Sequence, residues 1–162
     1  MPKKKHVRGH VPGEGRLKPR PNFCFGCGKD NPQGMRLKFV IDADQRRTNC
    51  TFRLSKRYQG PPGHTHGGII TVILDEAMSK VNKLRSVIAL TKQMEIEFLR
   101  PVPLGVDLTA IGYERSVRGR KHRNVAEIRN AEGEVLARGE GLFIAVDAEK
   151  MFAKFQQGQR KE

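Results

Sequence analysis

Tryptophan is absent from this chain of 162 residues, and tyrosine occurs only at Tyr58 and Tyr113. Proteins that bind single-stranded nucleic acids stack the bases on surface aromatic rings that lie among basic residues. The sequence contains neither that pattern nor a known nucleic-acid-binding module. A formal net charge of +14 therefore does not predict a specific nucleic-acid-binding protein, and this function is only a less favoured alternative.

Cysteine is also scarce, and an odd count of three does not build a disulfide scaffold. Cys24 and Cys27 have the CxxC spacing of zinc and thiol redox sites, but zinc needs two further ligands, and no second CxxC or HxxxH motif follows. A redox motif opens a helix after a strand, whereas the sequence KDNPQG at this point is typical of a turn. A structural role for both cysteines is therefore favoured, and neither a metal nor a cofactor is expected.

No apolar segment approaches the length of a membrane-spanning helix, and the basic N-terminus lacks the apolar run of a signal peptide. We therefore expect a cytoplasmic protein without a membrane partner. Acidic residues are few, 17 against 31 Lys and Arg, and this excess favours polyanionic partners or phosphate-bearing small molecules. Residues 1–22 are basic and rich in proline, so we expect a disordered tail whose charge serves solubility.

The remaining sequence predicts one domain at 23–147 and a short C-terminal helix and tail at 148–162. Six segments have the pattern of β-strands, and the last four are expected to be linked by tight hairpins: 35–41, 49–54, 93–98, 106–117, 122–130 and 134–146. Between the second and third of these strands, residues 66–84 have the period of a helix, with Thr65 as the predicted N-cap.

Two strands, one long helix and four further strands predict an α+β fold in which an antiparallel sheet wraps around the helix. Apolar residues between Ile69 and Leu84 fall on one broad face of that helix. Asp75 falls on the other side, where it would meet water or another subunit. Glu76 points about 100° away from Asp75 and is expected to pair with Lys80, four residues further on.

The segment GPPGHTHGGIITVILDEAM, residues 60–78, combines a glycine-rich helix start with a carboxylate inside the helix. Gly67 and Gly68 leave backbone N–H groups accessible at the positive end of the helix dipole, where a phosphate or the oxyanion of an attacked thioester could bind. Asp75 lies roughly 12 Å further along the axis, too far to act on the same carbonyl. The two groups can cooperate only if two copies pack their helices antiparallel; otherwise Asp75 is a solvated carboxylate.

This segment closely resembles the HGG motif of hotdog-fold acyl-CoA thioesterases, particularly the PaaI-like branch, in which an aspartate follows nine residues after the histidine. CFGCGKDNPQGMRLKF, EIEFLRPVPLG and AEGEVLARGEGLF resemble the same branch, so the resemblance covers about residues 23–147. It implies the hotdog fold, assembly into homodimers or homotetramers, and hydrolysis of acyl-CoA without a cofactor. A hotdog domain that binds acyl-CoA without catalysis is the alternative from the binding class.

The resemblance also implies roles for individual residues. The backbone N–H of Gly67 would polarise the thioester carbonyl, and Asp75 would act as a general base for water or as a nucleophile that forms an anhydride. Thr91 stands where related enzymes place a hydroxyl group that orients the water. Ser79, one turn after Asp75, competes with Thr91 for this role because other hotdog branches place their hydroxyl group there.

The remaining candidates would bind the substrate. His66 and Gly68 would shape the helix start, although His66 could equally be a simple cap. Several relatives carry Asn or Gln six residues before the histidine, where this chain has Gly60, so the neighbouring Gln59 is the candidate for a second hydrogen bond to the carbonyl. The basic residues of the predicted hairpin at Gly119 would bind the phosphates of CoA or form a solvated edge: Arg118, Arg120 and Lys121.

Overall fold

The structure, a computed structural model, describes residues 21–158 of the chain. The expected disordered tail therefore lies almost entirely outside the described residues, as do residues 159–162. Asn22 lies inside them and belongs to the domain: its backbone N–H donates to Asp30 Oδ2 at 2.7 Å, and its carbonyl accepts from the Asp30 N–H at 3.1 Å.

Strands and helices follow the predicted order. The strands are β1 Val40–Asp42, β2 Arg47–Arg53, β3 Ala89–Phe98, β4 Asp107–Arg118, β5 Lys121–Arg129 and β6 Val135–Ala145. The helices are α1 Gly67–Val81 and α2 Ala148–Gly158, with 3-10 turns at Lys56–Tyr58 and Asn82–Arg85. The expected α+β architecture is confirmed, with one long helix packed against a sheet.

All strand pairs of the sheet are antiparallel, in the order β1-β2-β4-β5-β6-β3. The hairpin at Gly119 joins β4 to β5 as predicted, with a φ of 56° that favours glycine. The predicted hairpin between β3 and β4 is wrong, because β3 pairs with β6 and not with its neighbour in sequence. Pro101 and Pro103 in the connection cannot donate to a ladder, so the chain leaves the sheet there. As a result β3 forms one edge of the sheet.

Helix α1 packs its apolar face on the sheet, with these residues buried: Ile70, Ile73, Leu74, Ala77, Met78 and Val81. At Gly112 of β4 a Cβ would lie 2.4 Å from the Ala77 carbonyl oxygen, so the close approach of helix and strand requires glycine there. Thr48 Oγ1 donates to the same carbonyl at 3.0 Å, and Asn124 Nδ2 donates to the Met78 carbonyl at 3.0 Å. Polar contacts therefore fix the position of α1 in addition to apolar burial.

The first strand is shorter than the predicted 35–41. The first half of the predicted segment bonds instead to the N-terminal turn, which contains Phe25 and Gly26. The N–H of Met35 donates to the Phe25 carbonyl at 2.8 Å, and that of Leu37 donates to the Gly26 carbonyl at 2.9 Å. Local hydrogen bonds to this turn thus take the place of a ladder with β2, and β1 begins only at Val40. The N-terminal turn is thereby attached to the domain.

None of the helices within residues 21–158 is both long enough and apolar enough to cross a membrane.

Candidate active site

The imidazole of His66 caps the N-terminus of α1, so the prediction that Thr65 is the cap is wrong. His66 Nδ1 accepts a hydrogen bond from the Gly68 N–H at 2.9 Å. Because a backbone N–H can only donate, this Nδ1 carries no proton. Thr65 is buried, and its N–H donates to the Val102 carbonyl at 2.8 Å, which holds Thr65 in the loop and away from the helix start.

Gly67, the first residue of α1, has a backbone N–H that makes no hydrogen bond with any residue in the described range. The neighbouring donors are used: Gly68 bonds to the imidazole, and the next two amides bond to the His66 carbonyl at 2.9 and 3.1 Å. The Phe98 ring would lie 3.6 Å from a Cβ at position 67, so an apolar wall borders this N–H. One unpaired donor at the positive end of the helix is therefore available to a carbonyl oxygen.

The loop before α1 is braced by its own residues. Gln59 Oε1 accepts from the Gly63 N–H at 3.2 Å, and the Gly60 N–H donates to the His64 carbonyl at 2.9 Å. The Gln59 side chain thus shapes the loop through its oxygen, while its amide nitrogen donates to no group of the described residues. That nitrogen is the part of Gln59 still free to bind a ligand.

Asp75 contacts the edge strand β3. Thr91 Oγ1 donates to Asp75 Oδ1 at 2.8 Å, whereas the other carboxylate oxygen makes no hydrogen bond within residues 21–158. The Asp75 side chain is half-buried beside the strand, so it is less exposed to water than its helix position predicts. The structure therefore brings together two of the predicted site residues, Asp75 and Thr91, and leaves one carboxylate oxygen free.

Burial raises the pKa of Asp75 above the ordinary aspartate value, because desolvation penalises the charged form. The hydrogen bond from Thr91 lowers this pKa, Glu76 raises it through charge repulsion, and Lys80 lowers it. A carboxylate whose pKa lies above the usual range is a stronger base than a free aspartate.

No hydrogen bond joins the Ser79 and Asp75 side chains within the part of the chain that the structure describes. Of the two candidate hydroxyl groups, only that of Thr91 therefore reaches the carboxylate. Glu76 pairs with Lys80 as predicted, with 3.2 Å between Oε2 and Nζ.

The basic hairpin lies at the same end of the sheet as the Asp75–Thr91 pair. Arg118 and Lys121 face each other across the turn. Lys121 is in register with Ile144 of β6, which is in register with Leu90, the neighbour of Thr91 on β3. At about 4.8 Å per strand, the hairpin tip is roughly 10 Å from the Leu90 backbone.

Arg120 has a different role from its two neighbours in the hairpin. Its Nε donates to the carbonyl of Ala145, the last residue of β6, at 2.9 Å, so its guanidinium group is bound to the end of that strand. Among the three predicted phosphate-binding residues, Arg118 and Lys121 make no ion pair within the described residues, and Arg120 is partly engaged by the backbone.

The free edge of β3 runs beside both halves of the candidate site. Large apolar side chains on or next to this strand are strongly exposed, with these fractional exposures: Ile88 52%, Leu90 46%, Phe98 57% and Leu99 47%. An unpaired edge with exposed apolar side chains is a surface that another chain can pair with. The sequence does not reveal this feature, because the period of β3 predicts a strand but not its place in the sheet.

Two surface depressions, of about 450 and 380 Å³, lie on the sheet face that points away from α1. Tyr113 and Glu127 line both, and neither includes a candidate site residue. These depressions are therefore unrelated to the groups at Gly67 and Asp75.

Comparison with known proteins shows which families this chain resembles. The sequence profile of the thioesterase superfamily matches residues 62–137, which contain the capped helix start and Asp75. The acyl-coenzyme A thioesterase THEM4 of Bos taurus is 31% identical over 120 residues, which cover 72% of this chain and 49% of that protein. The chain thus spans about half the length of the THEM4 relatives it matches.

Solved structures with a similar fold include thioesterase superfamily proteins. The crystal structure of a thioesterase superfamily protein superposes with a TM-score of 0.67 at 34% identity, over 71% of this chain and 56% of the other. The Escherichia coli PaaI protein from the phenylacetic acid degradation operon superposes with a TM-score of 0.64 at 20% identity, over 70% of this chain and 81% of its own, a likeness of fold alone. Residues 62–137 thus match the thioesterase superfamily, and the chain has the hotdog fold of the members of that superfamily.

Proposed function

We propose that the chain hydrolyses acyl-CoA thioesters to the free acid and CoA, at sites shared between two copies of the chain. One observation carries the proposal: α1 starts at Gly67, whose N–H is unbonded within the described residues, and also carries Asp75, which bonds to Thr91 on the edge strand β3, so that both groups lie beside an exposed sheet edge. The name of the Bos taurus relative, an acyl-coenzyme A thioesterase, supports the substrate class.

In this reaction the Gly67 N–H donates to the thioester carbonyl oxygen and stabilises the negative charge that forms there during attack. Asp75 removes a proton from water through its free carboxylate oxygen while Thr91 holds the other oxygen in place. The tetrahedral intermediate then expels the CoA thiolate, which takes the proton from Asp75. If Asp75 attacks the carbonyl carbon directly, the C–S bond breaks, the CoA thiolate leaves and an anhydride forms; water then hydrolyses the anhydride to the free acid and the Asp75 carboxylate, and the proton released goes to the thiolate.

The proposal requires a dimer, because Gly67 and Asp75 of one chain lie more than two turns apart on α1. Pairing of two β3 edges about a two-fold axis would cover the exposed apolar side chains and set the two α1 helices antiparallel. Gly67 of one copy would then face Asp75 of the other. The tetramer, the cytoplasmic location, and the absence of nucleic-acid and membrane partners stay predictions.

The phosphates of CoA would bind at the basic hairpin. Arg118 and Lys121 present charges that no acidic side chain of the described residues neutralises, at the end of the sheet that carries Thr91. Charged donors of this kind form strong hydrogen bonds with phosphate oxygens. Gln59, through its amide nitrogen, would add a donor near the carbonyl.

The direct test measures thiol release from a panel of acyl-CoAs by the wild type and by Asp75→Asn. Asn cannot accept a proton from water, so we expect kcat to fall by about 10²-fold or more while the fold is retained. Asp44→Asn, which changes an exposed turn carboxylate, is the control and should leave the rate unchanged. Full activity of Asp75→Asn would disprove the role of Asp75.

Thr91 is tested by Thr91→Val and Thr91→Ser. Loss of one hydrogen bond to Asp75 should lower kcat about 3–10-fold in the valine variant, and the serine variant should retain most of the activity because it keeps the hydroxyl group. Binding of acyl-CoAs without thiol release at any chain length would favour a binding domain over an enzyme.

A further inference from the structure

Three side chains with metal-binding groups meet where the N-terminal turn contacts α1. The sulfur atoms of Cys24 and Cys27 and a carboxylate oxygen of Glu76 all lie within 4.8 Å of one another. Cys24 Sγ donates to Glu76 Oε1 at 3.0 Å. The other oxygen, Oε2, is buried and accepts no hydrogen bond within residues 21–158, although Lys80 Nζ lies 3.2 Å away.

The sequence CFGCG holds the two thiols in a tight turn. The Gly28 N–H donates to the Cys24 carbonyl at 2.9 Å. A Cβ at Gly26 would lie 2.5 Å from Glu76 Cγ, and a Cβ at Gly28 would lie 2.5 Å from the Cys24 carbonyl oxygen. Both positions therefore require glycine, and the turn presents its thiols to Glu76 in one fixed arrangement.

We infer that Cys24, Cys27 and Glu76 form a zinc site that joins the N-terminal turn to α1. CxxC is the ligand spacing of structural zinc sites, and two thiolates with one carboxylate suit Zn²⁺, whereas Ca²⁺ and Mg²⁺ prefer oxygen ligands. Sequence spacing does not reveal the third ligand, because Glu76 is 52 residues from Cys24. Cys24 is exposed, which leaves the fourth position of the tetrahedron open to water.

Lys80 balances the charge of this site. Two positive charges from Zn²⁺ and three negative charges from its ligands leave one negative charge, which the ammonium group neutralises. Lys80 Nζ donates to Cys27 Sγ at 2.9 Å, and donors to a metal-bound sulfur orient and stabilise the ligand. The same ammonium group pairs with Glu76 when no metal is bound, so the domain can fold first and zinc then adds stability.

The test uses the full chain, reduced and treated with a chelator, and titrates it with Co²⁺ as a spectroscopic substitute for Zn²⁺. We expect a thiolate-to-cobalt charge-transfer band that saturates at one ion per chain and disappears when Zn²⁺ is added. Cys24→Ser should weaken the affinity at least 10-fold and reduce the band. Glu76→Gln should weaken the affinity about 10–100-fold but keep the band, because both sulfur ligands remain.

Cys50→Ala is the matched control, since Cys50 is the third free cysteine and is buried in β2. It should leave the cobalt band unchanged. Absence of the band in the wild type, or a band lost in Cys50→Ala and kept in Cys24→Ser, would refute the site. Zn²⁺ should also raise the Tm of the wild type but not that of Cys24→Ser, and an equal rise in both would count against it. None of these readouts depends on thioester hydrolysis.

Discussion

His66 and Gly67 show how adjacent residues share the start of one helix. The His66 imidazole accepts a hydrogen bond from the Gly68 N–H, and the His66 carbonyl accepts from the two amides that follow Gly68. Of the first four amides of the helix, only that of Gly67 makes no hydrogen bond within the described residues. The two oxygens of Asp75 differ in the same way: one accepts a hydrogen bond from Thr91, and the other makes no hydrogen bond within the described residues. At the residue scale, the groups that hold the site in shape are therefore separate from those that can meet a substrate.

Gly67→Ala separates ligand binding from stability. The added Cβ would meet only the Phe98 ring, at an ordinary contact distance of 3.6 Å, and alanine is the better helix former. We expect an unchanged or slightly higher Tm, but a loss of about 10-fold or more in kcat/KM, because the methyl group covers the approach to the N–H. Thermal unfolding and thiol release measure the two effects, and an unchanged kcat/KM would show that no ligand approaches there.

At the scale of elements, the place of β3 at the sheet edge decides what the site needs. The strand pairs with β6, and within residues 21–158 no strand pairs with its other side. Thr91 and Phe98 of this strand border the two halves of the candidate site. A chain that docks on the β3 edge would thus meet both halves at once.

Leu90→Lys tests this edge. Leu90 is 46% exposed, and a lysine at this position would place charge in the proposed dimer contact. We expect a folded monomer by light scattering after gel filtration, with thiol release reduced by about 10²-fold. Val40→Lys is the matched control, because Val40 is 67% exposed on β1 at the opposite edge, and it should leave both properties unchanged. A monomeric wild type with full activity would contradict the shared site.

At the scale of the whole molecule, Glu114 is an acidic group that connects distant parts of the chain. It lies on β4 and pairs with Arg85, which follows α1, and with Arg46 at 3.2 Å, in the turn before β2. The hydrogen bond from Arg85 is the main reason that the pKa of Glu114 lies below its ordinary value, although burial opposes this shift. The ion pairs of Glu114 with Arg85 and Arg46 therefore stabilise the folded chain only while Glu114 is charged.

Glu114→Gln should lower the Tm at neutral pH. Because the folded-state pKa is depressed, the stabilisation is present above the ordinary glutamate pKa and is lost as the pH falls through the folded-state value. The Tm difference between wild type and variant should therefore shrink toward zero on acidification below the ordinary value. Glu132→Gln, in an exposed turn, is the control and should change the Tm little at any pH. A difference that does not depend on pH would argue against the ion pairs.

Local patterns were sufficient to predict the helix, the hairpin at Gly119 and the order of the strands, because these depend on residues close together in the chain. Local patterns were not sufficient for the cap: Thr is among the residue types preferred at this position, but the Thr65 N–H bonds to the Val102 carbonyl, and the helix begins at Gly67 with His66 as its cap. From a family resemblance Thr91 was expected to orient the water, but its hydrogen bond to Asp75 was not expected, since no spacing rule connects a strand residue to a helix residue 16 positions away.

The sequence by itself determined that one amphipathic helix begins at a glycine pair and carries an aspartate beyond its second turn. Periodicity and spacing along the chain are enough for that. Only the tertiary structure decided that β3 lies at an open edge, that Thr91 bonds to Asp75, and that Glu76 meets Cys24. The physical reason is that each of these contacts joins segments far apart in sequence. Such segments come together only when α1 buries its apolar face against the whole sheet.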